Sequence, residues 1–290
     1  MSFPGVHNTV MVTLGLLLGL AALVGWRGER RHAVAAAGIA LGVLALNNGG
    51  VMRAYGIVSD NQYSQVRVRT DPAEDSRLLI VNNSPSSKLA ARPEDRFAYV
   101  RFIETEIIGR LDPARAHRIL VIGAGGFTIG LEDRRNAYTY VDIDPALKPV
   151  SEEHFLGRPL TSNKTFVPES ARAFLRRSRE PYDVVVLDAY SNRLDIPADL
   201  VTREAFRAVR GTLAPGGQVA MNVIASPAFA DRFSRSIDAT IRSVFPFAVR
   251  QVMSGTEHGG VASVLYVHRD RPDERHDVYT DDRNRYFLDR

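Results

Sequence analysis

Two long apolar runs open the chain. Thr9–Trp26 carries no charge over 18 residues, and Ala33–Leu46 is apolar for 14. At ~1.5 Å per residue the first is long enough to cross most of a hydrocarbon core of roughly 30 Å, and the second reaches that length only with Asn47, Asn48 and two glycines. One or two transmembrane helices are therefore predicted over 1–56, with Gly15, Gly19, Gly38 and Gly42 either allowing close hairpin packing or reflecting ordinary glycine content. Beyond them Gln65–Arg69 alternates at period two and Leu78–Val81 is apolar, which predicts a small antiparallel β element around the polar turn Asp71–Ser76. In Pro93–Ile108 the residues Phe97, Val100, Ile103, Ile107 and Ile108 share one helical face, and the helix ends at Gly109. From Arg118 the pattern changes to short β-branched runs near 118–123, 138–143, 164–168, 183–188, 218–224, 248–253 and 262–268. Helical periods near 170–178, 199–213 and 228–244 alternate with them. That alternation predicts an α/β domain with a doubly wound, mainly parallel sheet over 113–290. The short turn Ser254–Gly260 makes its last two strands an antiparallel hairpin. Residues 57–112 form a separate small β element plus helix.

Composition changes this picture little. With 290 residues, 45% hydrophobic and 24% charged, the chain can bury one full α/β core with residues left over. The net charge of +4 is spread along the sequence, so no nucleic-acid partner is expected. With no cysteine, disulfides and thiolate chemistry are excluded. A cleaved signal peptide is not expected, because the first 26 residues hold no basic residue. Orientation is contradictory: the Arg27–His32 loop, with three arginines, belongs in the cytoplasm by the positive-inside tendency, which puts the following domain outside. A nucleoside cofactor argues for inside. The expectation is an inner-membrane protein whose catalytic domain is cytoplasmic.

The chemistry concentrates at Arg118-Ile-Leu-Val-Ile-Gly-Ala-Gly-Gly-Phe-Thr-Ile-Gly130 and Tyr138-Thr-Tyr-Val-Asp-Ile-Asp-Pro145. Gly123, Gly125 and Gly126 allow positive φ and close approach of the backbone to a ligand. Asp142 follows Gly123 by 19 residues, the spacing that reaches a ribose hydroxyl pair. The alternative is a tight turn with a solvated acid. Asp188 ends the apolar strand Asp183–Leu187 and should face the same crevice as a candidate base, with a capping aspartate as the alternative. Tyr190 either closes over an apolar group or packs. The histidines show no HExxH or His-x-His spacing, and no metal site is expected.

Several of these motifs resemble those of the spermidine synthase family, the polyamine aminopropyltransferases, over about residues 60–270. They are Tyr63-Ser-Gln65, Asp95-Arg-Phe-Ala-Tyr99, the glycine turn, Val141–Pro145, Arg172-Ala-Phe-Leu175, Asp183–Asp188, and Leu200–Phe206 with Leu213-Ala-Pro-Gly-Gly217. Membrane-anchored bacterial members are similar in organisation. The resemblance implies a class I methyltransferase-like (Rossmann-like) sheet and a transferase of polyamine biosynthesis. Its activity would be transfer of an aminopropyl group from decarboxylated S-adenosylmethionine to a small amine. It implies a ribose-holding role for Asp142, a base role for Asp188, an amine-channel role for Tyr99 and a cofactor role for Gln65. The chain departs from the family pattern at four places: Gly126 stands where the family carries a donor-gripping aspartate, Ser191 replaces a second acid, Ser170 with Glu169 stands where an aspartate contacts adenine, and Val100-Arg101 follows the tyrosine motif where the family usually has a polar residue and an acid. S-adenosylmethionine-dependent methyl transfer and a catalytically inactive nucleoside-sensing or scaffold module remain alternatives. The acceptor and the oligomeric state, a homo-oligomer included, stay open.

Overall fold

The computed structural model describes residues 6–25, 30–46, 49–189, 197–253 and 261–269. The two apolar runs form helices α1 (Val6–Gly25) and α2 (Arg30–Leu46), packed against each other. The contact buries Ala22, Ala33 and Ala40, while Leu16, Leu23 and Leu41 point outward with about 70% of their surface exposed. Among the described residues no helix is long and apolar enough to cross a membrane, so the expected spans are not carried by the structure. The 17 residues of α2 rise only ~25 Å, and its first turn holds Arg30 and Arg31. Gly19, Gly38 and Gly42 have nothing within 4 Å of where a Cβ would stand, so they do not mediate close packing of the pair.

A short helix α3 (Gly49–Ala54) leads into an antiparallel sheet of four strands in sequential order, β1 (Ile57–Asp60), β2 (Gln65–Asp71), β3 (Ser76–Val81) and β4 (Ser84–Ala90). The period-two pattern of β2 puts Val66 fully inside, against Leu79 of β3. Sequence patterning predicts β2 and β3 but not β1 or β4. The last strand, Ser-Pro-Ser-Ser-Lys-Leu-Ala, lacks apolar alternation, and Pro85 is tolerated because β4 is an edge. The signal for this hairpin is Asn82-Asn83, whose φ values of 49° and 65° are those of a tight mirror-image turn.

Helix α4 (Ala98–Phe102) continues without a break through a π turn to Ile107 and a 3-10 turn to Arg110. Its predicted face buries Val100, Ile103, Ile107 and Ile108, joining the small sheet to Ile119 and Val121 of the large one.

The large sheet contains β5 (Arg118–Ile122), β6 (Ala137–Asp142), β7 (Lys164–Pro168), β8 (Tyr182–Leu187), β9 (Leu213–Ala225), β10 (Val249–Val252) and β11 (Ala262–Arg269) in the order β10-β11-β9-β8-β5-β6-β7. Strands β5 to β9 run parallel, and β11 pairs antiparallel with both β9 and β10. The helices are α5 (Leu147–Val150), α6 (Ala171–Arg177), α7 (Arg203–Gly211) and α8 (Arg232–Arg242). Strand β8 is apolar from Val184 to Leu187 because both its faces are covered there. Val184 and Val186 join the α4 side, whereas Val185 and Leu187 join Phe174, Phe206 and Ile241 on the other. No helix follows the glycine turn. Gly123, Gly125, Phe127 and Gly130 all have positive φ, and four left-handed residues so close together cannot sit in a right-handed helix.

Candidate active site

In the large sheet the chain leaves β5 toward β6 on one side and β8 lies on the other, so a crevice opens above the carboxyl end of β5. Three strand ends are stitched there: the Gly123 amide donates to the Val141 carbonyl at 2.9 Å, and the Asp188 amide to the Ile122 carbonyl at 2.8 Å. Gly123 has φ +89°, and a Cβ on it would stand 2.3 Å from the Asp188 carbonyl oxygen. Only glycine lets the β5 and β8 ends meet, and this closeness brings Asp142 and Asp188 to one rim. Above the rim lies a cavity of about 850 Å³, roofed by the β3–β4 turn and the start of α4. That volume is within the range of small-molecule sites.

Asp142 is held by the backbone. Its Oδ2 accepts from the Ala124 amide at 3.0 Å and its Oδ1 from the Asp144 amide at 3.1 Å. Burial pushes its carboxyl above the ordinary range, against the pull of those amides. Asp144 is buried and accepts from Asn61 Nδ2 and the Ala146 amide, both at 2.9 Å, and from the Ser64 hydroxyl. It therefore ties the small sheet to the end of β6. Sequence reasoning did not single it out; its signal was the Asp-x-Asp spacing at the strand end.

Asp188 is held by side chains from distant elements. The Tyr99 hydroxyl donates to Oδ2 at 2.6 Å, and Asn222 Nδ2, from β9, donates to Oδ1 at 2.9 Å. The Ser263 hydroxyl donates to Asn222 Oδ1 at 2.7 Å, which fixes the orientation of that amide. Burial pushes the Asp188 carboxyl up to about 6, although both hydrogen bonds favour the charged form. A carboxylate there is poised to take up or release a proton near neutrality. Asn222 and Ser263 carry no local motif, and nothing in the sequence pairs them with Asp188.

The other predicted residues separate. Gly125 lines the cavity, and a Cβ on it would come within 2.9 Å of the Ser86 hydroxyl. Gly126 is not among the lining residues: its amide donates to Ser87 Oγ at 2.9 Å, and a Cβ would sit 2.4 Å from the Phe155 ring. A Cβ at 126 would require the Phe155 ring to shift, so the absence of a side chain there has a packing reason. Gln65 is likewise not a lining residue; its amide donates to Asn82 Oδ1 at 3.0 Å within the small sheet. Glu169 is paired with Arg177 at 2.6 Å and does not line the cavity, whereas Ser170 does, while also capping α6 by accepting from the Ala173 amide at 3.3 Å. Tyr190 and Ser191 lie outside the described residues. Among the described residues no group of three His, Asp or Glu side chains could hold a metal ion.

No protein-family model matches the chain. It is 28% identical over 160 residues to a polyamine aminopropyltransferase of Vibrio vulnificus, covering 53% of this chain and 52% of that one. Over about half its length the chain is thus similar to a polyamine aminopropyltransferase. A solved structure of a probable spermidine synthase from Corynebacterium glutamicum shares the fold, with a TM-score of 0.60 and 24% identity over 75% of this chain and 79% of that one. An N-terminal histidine N-methyltransferase of Emericella nidulans is 29% identical over 154 residues, 51% of this chain and 26% of its own. The chain thus spans about half the length of the aminopropyltransferase relative. Asp142, Asp188 and Tyr99 all line the same cavity.

Proposed function

We propose that the chain is an aminopropyltransferase that moves an aminopropyl group from decarboxylated S-adenosylmethionine to a small amine. The observation that carries this reading is Asp188, a titratable carboxylate held by Tyr99 and Asn222 beside the glycine turn and Asp142. The cavity suits such a donor: the turn after β5 has no Cβ at Gly123 or Gly125, and Asp142 offers a carboxylate to the ribose hydroxyls. The donor supplies a carbon activated by a sulfonium. Asp188 takes one proton from the incoming ammonium, and the freed nitrogen lone pair forms the new C–N bond. The C–S bond breaks with its electron pair going to sulfur, and the product keeps its charge as a secondary ammonium. Asp188 then returns its proton to water. Tyr99 and Asn222 hold the carboxylate in place so that the amine lone pair is aligned with the reacting carbon.

One observation favours a second reading, methyl transfer from S-adenosylmethionine: position 126 has no room for a carboxylate to hold a lone donor ammonium. Calorimetry with S-adenosylmethionine, its decarboxylated form and methylthioadenosine separates the readings. Tighter binding of the decarboxylated donor is expected, and preference for S-adenosylmethionine would replace aminopropyl transfer by methyl transfer. The same proposal puts the protein at the inner membrane with the cavity on the cytoplasmic side, where the donor is made. The outward leucines of α1 and α2 support attachment through an apolar face. Fractionation of the full chain against a chain lacking residues 1–56 tests this, and recovery of both in the soluble fraction would refute it.

A further inference from the structure

The cavity has two chemically different walls. Its carboxylates among the described residues are Asp142, Asp144, Asp188 and Asp199. Asp142 and Asp144 are held by amides at the end of β6, and Asp199 lies on the α6–α7 side, where Arg172 binds its carbonyl at 3.1 Å. The opposite wall starts at Asp188 and leads away from the nucleoside rim. Phe97 stacks on Tyr99 with ring centroids 6.0 Å apart. Ile224 is two residues from Asn222 on the same face of β9 and pairs in register with Ser263. Met253 is tied to Ser263 by a backbone hydrogen bond of 2.8 Å, and Ala262 adjoins it. All of these line the cavity, and past Asp188 this wall offers no Asp or Glu among the described residues.

We infer that the acceptor is a primary monoamine with an apolar remainder, its nitrogen at Asp188 and its hydrocarbon against Phe97, Ile224 and Met253. This rests on the aminopropyl-transfer reading above and narrows its substrate class. The transfer step is the one already written: one proton to Asp188, a C–N bond formed, a C–S bond broken toward sulfur. A diamine of the same length would carry its second ammonium along the apolar wall, where taking a charge from water without a partner costs several kcal/mol. A methyl end in its place gains from the same burial. Asp188 does not serve both nitrogens, because Tyr99 and Asn222 hold it in one orientation, facing the reacting amine, and the second nitrogen lies at the far end of the hydrocarbon.

The test is a competition on the full-length protein with decarboxylated S-adenosylmethionine and equal concentrations of hexylamine and hexamethylenediamine. The alkylated amines are resolved by mass spectrometry while methylthioadenosine is quantified. The expected kcat/KM ratio favours hexylamine by at least ~10-fold, the low end of what an unpaired ammonium costs. Equal or reversed use of the two amines would overturn the inference and leave aminopropyl transfer standing, because methylthioadenosine still accumulates. Donor binding without alkylation of any amine would overturn both. Met253→Glu places a carboxylate on this wall and should move the ratio at least ~10-fold toward the diamine; an unchanged ratio in the folded variant would count against the apolar wall as the determinant.

Discussion

Asp142 and Asp188 end neighbouring parts of one sheet and line one cavity, yet they are built differently. Asp142 is gripped by amides of its own strand end and of the adjacent turn, contacts that form as soon as β5 and β6 pair. Asp188 takes its hydrogen bonds from Tyr99 on α4 and Asn222 on β9, elements 89 and 34 residues away in sequence. Backbone donors give a fixed acceptor suited to hydroxyl groups. Side-chain donors around a desolvated carboxylate give a group whose charge is balanced near neutral pH. In the proposed function the difference separates holding from proton transfer, and it can be broken at either end.

The largest effect should come from Asp188→Asn. Turnover is expected to fall by about 10²-fold or more, the scale of losing a positioned base, while donor affinity measured by calorimetry stays nearly unchanged. Equal turnover would reduce Asp188 to a structural residue. The same carboxylate should also govern stability. Its folded value is about 6 against roughly 3.9 in an unfolded chain, so between these pH values the folded state binds the extra proton. Stability should therefore fall as pH rises from about 4 to about 7, by up to about 3 kcal/mol, the free energy that separates the two values. Denaturant titrations of the wild type should show this loss, and Asp188→Asn should lack it.

At the other end, Asp142→Ala should weaken donor binding by roughly 1.5–3 kcal/mol, the loss of a charged acceptor for hydroxyl groups. Unchanged affinity in a folded variant would make Asp142 a strand-end residue only. The smallest expected change is Tyr99→Phe, with turnover about threefold to tenfold lower at pH 7. The Tyr99 hydroxyl favours the charged form of Asp188, so its removal should carry the rising limb of the pH–rate profile above about 6. A limb that does not move would show that Tyr99 only packs.

Much of this arrangement is legible in the residue pattern alone. The β-branched runs mark all seven strands of the large sheet, and where both faces of a strand are covered, as from Val184 to Leu187, the run is apolar throughout. The glycines followed by Asp142 mark the rim, because only glycine allows a strand end to approach Asp188 within contact distance. At Gly126 the same signal has a second cause, because a Cβ there would crowd the Phe155 ring. Strand β4 escapes detection because an edge strand that packs serines against the turn needs no apolar alternation.

The sequence by itself determined the seven strands of the large sheet, the helices α6 to α8 between them, the glycine turn and the two carboxylates at strand ends, since these follow from local periodicity and from backbone sterics. The tertiary structure alone decided which distant groups serve them. Asn61 and Ser64 reach Asp144, and Tyr99, Asn222 and Ser263 build the chain of bonds around Asp188. No local pattern encodes such partners, because hydrogen bonds between elements depend on how the sheets and α4 pack together. The raised pKa of Asp188 follows from that packing, since desolvation is a property of the assembled cavity and not of the residue.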